Sequence, residues 1–331
     1  MIRPFIKWAG GKTRVLPDLL PHLPKADCLI EPFVGGASVF LATEYRRYVL
    51  ADINPDLINL YREVTRYPDL VIDAARELFN SKNSPQGYNE VRAAFNKQVG
   101  TVKSGGLRYG VEMACIMRAA QFLYLNRHGY NGLCRYSRKT GFNVPFGKYK
   151  RVYFPENEIR LFAEKANDTK AIFLCAPFQR SLQVVTGGDV LVYCDPPYLP
   201  ESKTADFTKY HTEPFTEDNH RQLVQALLEV NRKHGVKVVI SNSDTEATRA
   251  IYQPFKMHEI SVQRSVSTDK DNRQKAKEVI GVLPVCDGCG RYEGGHCAKC
   301  CPGIAACEEG WSFDCRGNCD ICEPSDNPET W

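Results

Sequence analysis

The chain has 331 residues, of which 43% are hydrophobic and 25% charged, and its formal net charge is +4. These proportions are ordinary for a folded globular protein and exclude a disordered or fibrous chain. No apolar run approaches the roughly 18 residues of a membrane-spanning helix, and the first residues lack the apolar stretch of a signal peptide. We therefore expect a cytoplasmic protein without membrane contact, built from two or more modules.

The first predicted strand begins at Cys28 and leads into a glycine turn at Gly35 and Gly36. A helix is predicted from Ser38 to about Arg46. Glycines at such a turn allow a ligand to approach the backbone closely. The turn lacks the Gly-x-Gly-x-x-Gly pattern of dinucleotide sites, so the sequence does not indicate a pyrophosphate.

A second strand is predicted over residues 48–54, and it carries the acid Asp52 near its end. Asp52 lies 17 positions after Gly35. Rossmann-like units carry a ribose-binding carboxylate at about this spacing. The alternative is that Asp52 caps a helix beginning near Pro55, since Asp is common before a helix start. The other motifs of the chain favour ribose binding.

A basic and aromatic cluster occupies the second half of residues 60–156, a segment predicted to be helix-rich at first and loop-rich afterwards. Ten Lys or Arg residues and one acid, Glu112, lie between Lys103 and Arg151, with eight aromatic residues interleaved. Phosphate neutralisation and base stacking both use this mixture, so we favour nucleic-acid binding. The alternative is a solvated basic surface.

The remaining predicted elements alternate between helices and strands, as an α/β fold requires. In chain order they are a helix over 114–126, a turn over 129–132, strands over 171–175 and 190–194, a helix over 216–233, a strand over 237–241, and a hairpin of strands over 257–263 and 277–283. Thr216 is a plausible N-cap, but Asn219 stands where a capping box prefers Glu or Gln, so we expect an incomplete box. Residues 100–106 are predicted to be a surface insertion.

The tetrapeptide Asp195-Pro196-Pro197-Tyr198 follows the predicted strand over 190–194 directly. Prolines cannot continue a strand ladder, and they stiffen the backbone where open α/β sheets bind ligands. An acid and an aromatic held there suit a planar amine, which oxygen acceptors bind at its edge while Tyr198 stacks on its face. The alternative is a plain exit from strand to loop.

Six motifs occur in one order along the chain. They are residues 5–12 (Phe-Ile-Lys-Trp-Ala-Gly-Gly-Lys), 31–36 (Glu-Pro-Phe-Val-Gly-Gly), 51–54 (Ala-Asp-Ile-Asn), 124–136 (Tyr-Leu-Asn-Arg-His-Gly-Tyr-Asn-Gly-Leu-Cys-Arg-Tyr), 142–147 (Phe-Asn-Val-Pro-Phe-Gly) and 195–198. With these motifs, residues 3–283 resemble the Dam-type, D12-class adenine-specific DNA methyltransferases. The resemblance implies a Rossmann-like α/β sheet that binds S-adenosylmethionine. It also implies methyl transfer to the N6 amine of a flipped adenine in double-stranded DNA.

The resemblance assigns the chemistry to the tetrapeptide. Asp195 and the Pro196 carbonyl would accept hydrogen bonds from the target amine, Pro197 would fix the turn, and Tyr198 would stack on the base. The implied cofactor-binding residues are Trp8, Lys12, Glu31, Phe33, Gly35, Asp52, Phe178 and Asp195. Lys12 would reach the cofactor carboxylate, and Asp52 the ribose hydroxyls. The alternatives are a core position for Trp8 and a solvated surface charge for Lys12.

The resemblance also implies recognition of GATC. Arg135 would read a guanine, because its forked donors match the paired acceptors of that base. Leu133 and Pro145 would contact the thymine methyl region, and Tyr130, supported by Asn131, would wedge into the base stack. The other implied DNA-binding residues are Lys7 for the second guanine, and Arg127 and Arg138 for phosphates. Each of these residues has a structural role as its alternative.

Nine of the 14 cysteines lie in the last 48 residues. They are Cys286, Cys289, Cys297, Cys300, Cys301, Cys307, Cys315, Cys319 and Cys322, with His296 as a spare ligand. In a cytosolic chain this density predicts one or two structural Zn²⁺ ions bound by thiolates, and a disulfide framework is the alternative. The tail carries three basic and nine acidic residues. This acidity disfavours DNA contact and favours a structural or protein-binding role.

We therefore expect a catalytic domain formed by residues 1–59 and 157–283. A DNA target-recognition domain over 60–156 and a cysteine-rich tail over 284–331 complete the predicted organisation. Two other functions are a catalytically idle DNA-binding module and a methyltransferase acting on cytosine or a glutamine amide. The intact tetrapeptide favours activity, and the basic and aromatic cluster opposes the other substrates. We expect the protein to lie with the nucleoid in the cytoplasm.

Overall fold

The computed structural model describes residues 2–97, 109–199, 215–263 and 275–283. The chain divides into two compact units. The first consists of Met1–Pro17, Glu31–Phe178 and Ser202–Pro214, and the second of Asp18–Ile30, Gln179–Glu201 and Phe215–Trp331. The cysteine-rich tail and the predicted insertion at 100–106 lie outside the described residues.

The first unit pairs two parallel strands with a set of helices. Strand β2 (Arg47–Asp52) runs parallel to β5 (Ile172–Cys175), with Asp52 opposite Cys175 at their carboxyl ends. The helices are α2 (Ser38–Ala42), α3 (Pro55–Arg66), α4 (Pro68–Ser81), α5 (Pro85–Lys97), α6 (Tyr109–His128) and α7 (Glu156–Asp168). A small antiparallel hairpin joins β3 (Tyr136–Ser137) to β4 (Gly141–Phe142).

An aromatic cluster forms the core of the first unit. Phe162 lies 5.0 Å from Phe5, 5.4 Å from Phe40 and 4.9 Å from Tyr61, measured between ring centroids. The Phe5 and Phe40 rings meet Phe162 edge to face, and the four side chains are fully or almost fully buried. Such pairs add to the free energy of burial. The core fixes the amino-terminal segment, α2, α3 and α7 against one another.

The second unit carries a mixed sheet in the order β1 (Cys28–Glu31), β6 (Val190–Cys194), β7 (Lys237–Ser243), β9 (Lys275–Leu283) and β8 (Lys256–Gln263). The pairs β1–β6 and β6–β7 are parallel, and β7–β9 and β8–β9 are antiparallel. Every residue of β6 is buried, as a central strand requires. The unit also contains α9 (Glu217–His234) and α10 (Glu246–Ile251), and short helices α1 (Leu16–Leu19) and α8 (Phe178–Leu182) lie at the unit boundaries.

The α/β prediction is confirmed, with mostly parallel pairing. Several element bounds and one capping box differ from the prediction. Helix α2 ends at Ala42, because the next carbonyl, that of Thr43, accepts a hydrogen bond from the Tyr48 hydroxyl. Helix α6 extends beyond the predicted bounds at both ends. The capping box of α9 is complete, since Asn219 Oδ1 accepts from the Thr216 backbone N–H at 2.8 Å. Across the described ranges, no helix is long and apolar enough to cross a membrane.

Candidate active site and nucleic-acid interface

The glycine turn after β1 leaves no room for a side chain at Gly35. Gly35 has φ +44°, and a Cβ there would lie 2.8 Å from Trp8 Nε1. Its backbone N–H donates to Asp52 Oδ2 at 3.2 Å, and its carbonyl accepts from the Tyr61 hydroxyl at 2.5 Å. The turn is therefore held from two sides, by the end of β2 and by α3.

Asp52 is a half-buried acceptor at the carboxyl end of β2. Its Oδ1 accepts from the backbone N–H of Asn54 at 2.9 Å. The helix-capping alternative for Asp52 is wrong, because Asn54 is the N-cap of α3 and accepts from Asp56 and Leu57. Burial raises the pKa of Asp52 to about 6, against the opposing effect of three backbone N–H groups.

The two predicted cofactor residues of the amino-terminal motif, Trp8 and Lys12, differ in exposure. Trp8 is half-buried and packs on the glycine turn. A Cβ at Gly36 would lie 3.0 Å from the Cβ of Trp8. Lys12 is only 5% exposed, which excludes a solvated surface charge. Trp8 also lines an open pocket of about 260 Å³, together with Arg3, Gly11, Thr13, Gly36 and Ser38. Arg3 and the two hydroxyl groups make this pocket suitable for a carboxylate.

Three further predicted cofactor residues lie in the first unit, at or after the ends of strands. Glu31, the last residue of β1, begins the second segment of this unit and is 2% exposed. Phe33 follows it, and its ring centroid lies 5.9 Å from that of Phe178. Phe178 opens α8 after β5, so the pair stands near the carboxyl end of the β2–β5 ladder. Two neighbouring aromatic rings at this edge suit a planar ligand.

The tetrapeptide 195–198 lies in the second unit, directly after β6. Ser241 Oγ, from β7, donates to Asp195 Oδ1 at 3.1 Å, and the Tyr193 hydroxyl lies 2.8 Å from the same Oγ. Tyr198 is half-buried, and its hydroxyl hydrogen-bonds to Glu278 of β9. Burial is the main cause that raises the pKa of Tyr198 well above its usual value, so the hydroxyl stays neutral.

The predicted DNA-binding residues lie in the first unit and are mainly exposed. Tyr130 is 52% exposed at a 3₁₀ turn over Tyr130–Gly132. Its N–H donates to the Pro145 carbonyl at 2.8 Å, so the turn and the 142–147 loop are joined. The other exposed members are Asn131, Arg135, Arg138 and Pro145, and the half-buried ones are Lys7, Arg127 and Leu133.

A fully buried amide, which sequence reasoning missed, supports Lys7. Asn126 Oδ1 accepts from the Lys7 N–H at 2.8 Å, and its Nδ2 donates to the Lys7 carbonyl at 2.7 Å and the Gly132 carbonyl at 3.2 Å. The Lys7 ammonium lies 4.3 Å from the centre of the Tyr149 ring. The Tyr149 hydroxyl in turn accepts from the Asn131 N–H at 3.0 Å. Lys7 and the turn are thus held as one assembly.

Arg135 is exposed but held in a defined direction. Its Nε donates to Asn143 Oδ1 at 2.8 Å. The next residue, Tyr136, donates from its hydroxyl to Asp56 Oδ2 at 2.6 Å. Arg118 Nε donates to the other oxygen of Asp56 at 2.6 Å, and this ion pair is buried. The hairpin is anchored by Asp56 of α3 and by Asn96 of α5, whose amide oxygen accepts from the Phe142 N–H at 2.8 Å. Both residues are distant in sequence, so no local signal indicates them.

The predicted zinc ligands lie outside the described residues. Among the residues that the structure does describe, no group of three or more His, Cys, Asp or Glu side chains could hold a metal ion. The described cysteines, which are Cys28, Cys115, Cys134, Cys175 and Cys194, are all free thiols.

Known proteins are similar to this chain over most of its length. Residues 8–266 match the family model of the D12 class N6 adenine-specific DNA methyltransferases. The chain is 46% identical over 281 residues to the DNA adenine methylase of Escherichia coli strain K12, which covers 85% of this chain and 95% of that protein. It is 44% identical over 277 residues to the Retron Ec67 DNA adenine methylase of Escherichia coli, covering 84% and 90%. It is 41% identical over 282 residues to the DNA adenine methylase of Vibrio cholerae El Tor, covering 85% and 96%. The chain therefore belongs to the D12 class of N6 adenine-specific DNA methyltransferases.

Proposed function

We propose that this adenine-specific DNA methyltransferase acts on GATC in duplex DNA and turns the target adenine out of the helix. The observation that carries the proposal is the exposure of two predicted DNA-binding side chains, Arg135 and Tyr130. The Arg135 side chain, directly before the hairpin, is held by its hydrogen bond to Asn143. Tyr130 is 52% exposed at the turn over Tyr130–Gly132. The target amine is buried in base pairing, so the base must leave the duplex before it reacts.

The family implies S-adenosylmethionine as the methyl donor, and residues of the first unit fit it. The Gly35 turn, where a Cβ would meet Trp8, offers bare backbone to a ligand. Asp52 provides oxygen acceptors for ribose hydroxyls, and Phe33 and Phe178 provide apolar faces for a purine ring. Lys12 is the proposed partner of the cofactor carboxylate. When bound, S-adenosylmethionine supplies a methyl group made electrophilic by a sulfonium sulfur.

The tetrapeptide prepares the amine for attack. The lone pair of an adenine amine is delocalised into the ring, which makes it a poor nucleophile. The Asp195 carboxylate and the Pro196 carbonyl accept hydrogen bonds from its two N–H groups and favour a tetrahedral nitrogen. The Asp195 carboxylate also stabilises the positive charge that develops on the nitrogen. Tyr198 stacks on the base and fixes its plane, so alignment carries much of the rate.

Recognition of the sequence is proposed for the surface around the turn. Arg135 donates two hydrogen bonds to a guanine in the major groove. Leu133 and Pro145 contact the thymine methyl region, and Lys7 contacts the second guanine. Arg127 and Arg138 bind phosphates. Tyr130, with Asn131 behind it, fills the space that the target base vacates.

The test is expression in cells that lack adenine methylation, followed by digestion of their DNA with endonucleases that differ in sensitivity to methylated GATC. We expect protection by the wild-type protein and none by Asp195→Ala. Arg135→Ala should relax discrimination at one guanine by about 10- to 100-fold, as loss of a bidentate contact does. Lys139→Ala is the matched control, since it removes an exposed charge near the same hairpin. Methylated adenine outside GATC would contradict the proposed readout.

We also propose that residues 284–331 bind about one or two structural Zn²⁺ ions through their thiolates, as small cysteine-rich modules do. The support is the pairing Cys286-x-x-Cys289 and Cys297-x-x-Cys300. The acidic tail is proposed to contact a protein rather than DNA. Metal analysis of the full-length protein, with thiol counting, tests the zinc proposal. Oxidised cysteines without zinc would contradict it.

A further inference from the structure

A buried hydrogen-bond network lies behind the tetrapeptide. His220 of α9 has no exposed side-chain surface, although its ring is polar. Its Nε2 lies 3.0 Å from the carbonyl oxygen of Pro197, and its Nδ1 lies 2.9 Å from the Tyr252 hydroxyl. Asn242 Nδ2 donates to the same hydroxyl at 3.4 Å, and Asn242 Oδ1 accepts from the Leu199 N–H at 3.4 Å. The network therefore reaches the motif at Pro197 and the residue that follows the motif, Leu199.

The partners of His220 determine which ring nitrogen carries the proton. A carbonyl oxygen can only accept, so Nε2 carries the hydrogen and donates it to Pro197. Nδ1 must then accept from the Tyr252 hydroxyl. Burial lowers the pKa of His220 to about 4, so the ring is neutral near pH 7. His220 is thus a single, directed donor to one backbone carbonyl.

The held carbonyl constrains its neighbour. The proline ring locks φ of Pro197 near −65°. With that torsion fixed and the Pro197 carbonyl held by His220, the peptide plane between Pro196 and Pro197 has little freedom to turn. The Pro196 carbonyl oxygen lies in that plane, and it is the oxygen proposed to accept from the target amine.

We propose that His220 is a positioning residue for methyl transfer, which fixes the Pro197 carbonyl and so orients the Pro196 carbonyl toward the amine. This inference rests on the proposed role of residues 195–198. The His220 side chain is fully buried and both of its ring nitrogens have protein partners, so it acts through the backbone. Sequence reasoning missed it, because its position 23 residues from Pro197 gives no local signal.

Substitution of His220 by Gln or by Asn tests the roles of its two ring nitrogens separately. A Gln side chain can place its amide nitrogen near the position of Nε2 and still donate to Pro197. An Asn side chain is shorter, so it reaches the position of Nδ1 and leaves the carbonyl without its donor. We expect His220→Asn to lower kcat about 10- to 100-fold, as a small misalignment does, while His220→Gln stays within about threefold of wild type. The KM for S-adenosylmethionine and the affinity for a GATC duplex should change less than about twofold in both variants, since neither contact site is altered.

Tyr252→Phe is the stability-matched control. It removes a buried hydrogen bond from the same network and leaves the His220–Pro197 contact in place. We expect its melting temperature to fall about as much as that of His220→Asn, with kcat within about threefold of wild type. Equal losses of kcat in His220→Gln, His220→Asn and Tyr252→Phe would overturn the inference. If His220→Asn does not fold, a kcat loss above about tenfold in Tyr252→Phe or His220→Gln would still overturn it.

A spectroscopic measurement tests the contact without turnover. Nitrogen-15 spectra of histidine-labelled protein should show the His220 ring protonated on Nε2 in the wild type and in Tyr252→Phe. A ring protonated on Nδ1 in the wild type would overturn the inference. A wild-type enzyme that transfers no methyl group to adenine would instead contradict the proposed function, so the two failures are distinguishable.

Discussion

Burial shifts the pKa of the Asp52 carboxyl group towards neutrality. Burial raises its pKa to about 6, and the backbone N–H groups of Gly35 and Asn54 limit that rise by donating to its two oxygens. Above this pKa the group is ionised and accepts hydrogen bonds at both oxygens. Below it, one oxygen carries a proton and becomes a donor, which removes an acceptor from the proposed ribose site.

We therefore expect cofactor binding to weaken in acid. Between about pH 7 and about pH 5 the ionised fraction of a group with pKa near 6 falls roughly tenfold, so the Kd for S-adenosylmethionine should rise by up to about tenfold. Isothermal titration calorimetry across this range measures the change. The Asp52→Asn variant should bind more weakly at pH 7 and show a flat profile. A pH dependence that persists in this variant would show that another group is responsible.

At the scale of elements, the turn Tyr130–Gly132 depends on close approach to the amino-terminal segment. Gly132 has φ +64°, a conformation that side chains rarely adopt. A Cβ at this position would overlap the Cβ of Lys7. The same glycine presents its carbonyl to Asn126, whose amide also holds both backbone groups of Lys7. A substitution at Gly132 should therefore displace Tyr130 and Lys7 together.

We expect Gly132→Ala to lower the free energy of unfolding by about 2–3 kcal/mol and to reduce the preference for GATC over altered sites about tenfold or more. Gly188→Ala is the control, because Gly188 has φ +91° and a Cβ there would meet no neighbouring atom within 4 Å. It should cost about 1 kcal/mol from backbone strain alone and leave DNA preference unchanged. Chemical denaturation and competition binding measure both effects. If Gly132→Ala keeps the wild-type preference for GATC, the proposed coupling between the turn and Lys7 is wrong.

Elements defined by buried apolar runs were predictable from the sequence. Strand β6 has its predicted bounds, since all five of its residues are buried and apolar character alone marks it. The end of α2 was not predictable, because it depends on the hydroxyl of Tyr48, a contact made only in the folded chain. The same holds for the supports of the site. Asn126 meets Lys7 across 119 positions of sequence, and Ser241 meets Asp195 across 46.

At the scale of the whole molecule, charge is divided unevenly along the chain. The formal net charge is +4, and residues 284–331 contribute three basic and nine acidic residues, so residues 1–283 carry +10. The family model matches residues 8–266, which lie within this part of the chain. The family chemistry is therefore contained in a strongly basic part of the chain. The acidic residues 284–331 weaken the electrostatic attraction of the full chain to DNA.

We expect a chain ending at Leu283 to methylate adenine and to bind duplex DNA several-fold more tightly than the full chain at low salt, because its net charge is larger. The difference should shrink as salt increases, since screening weakens interactions between exposed charges. Binding isotherms at several salt concentrations measure it. A full-length variant with Glu293, Glu308, Glu309, Glu323 and Glu329 changed to Gln is the matched control, because it removes charge and keeps every cysteine. Loss of methylation in the truncated chain, with wild-type activity in this variant, would show that the tail acts through its fold and not through its charge.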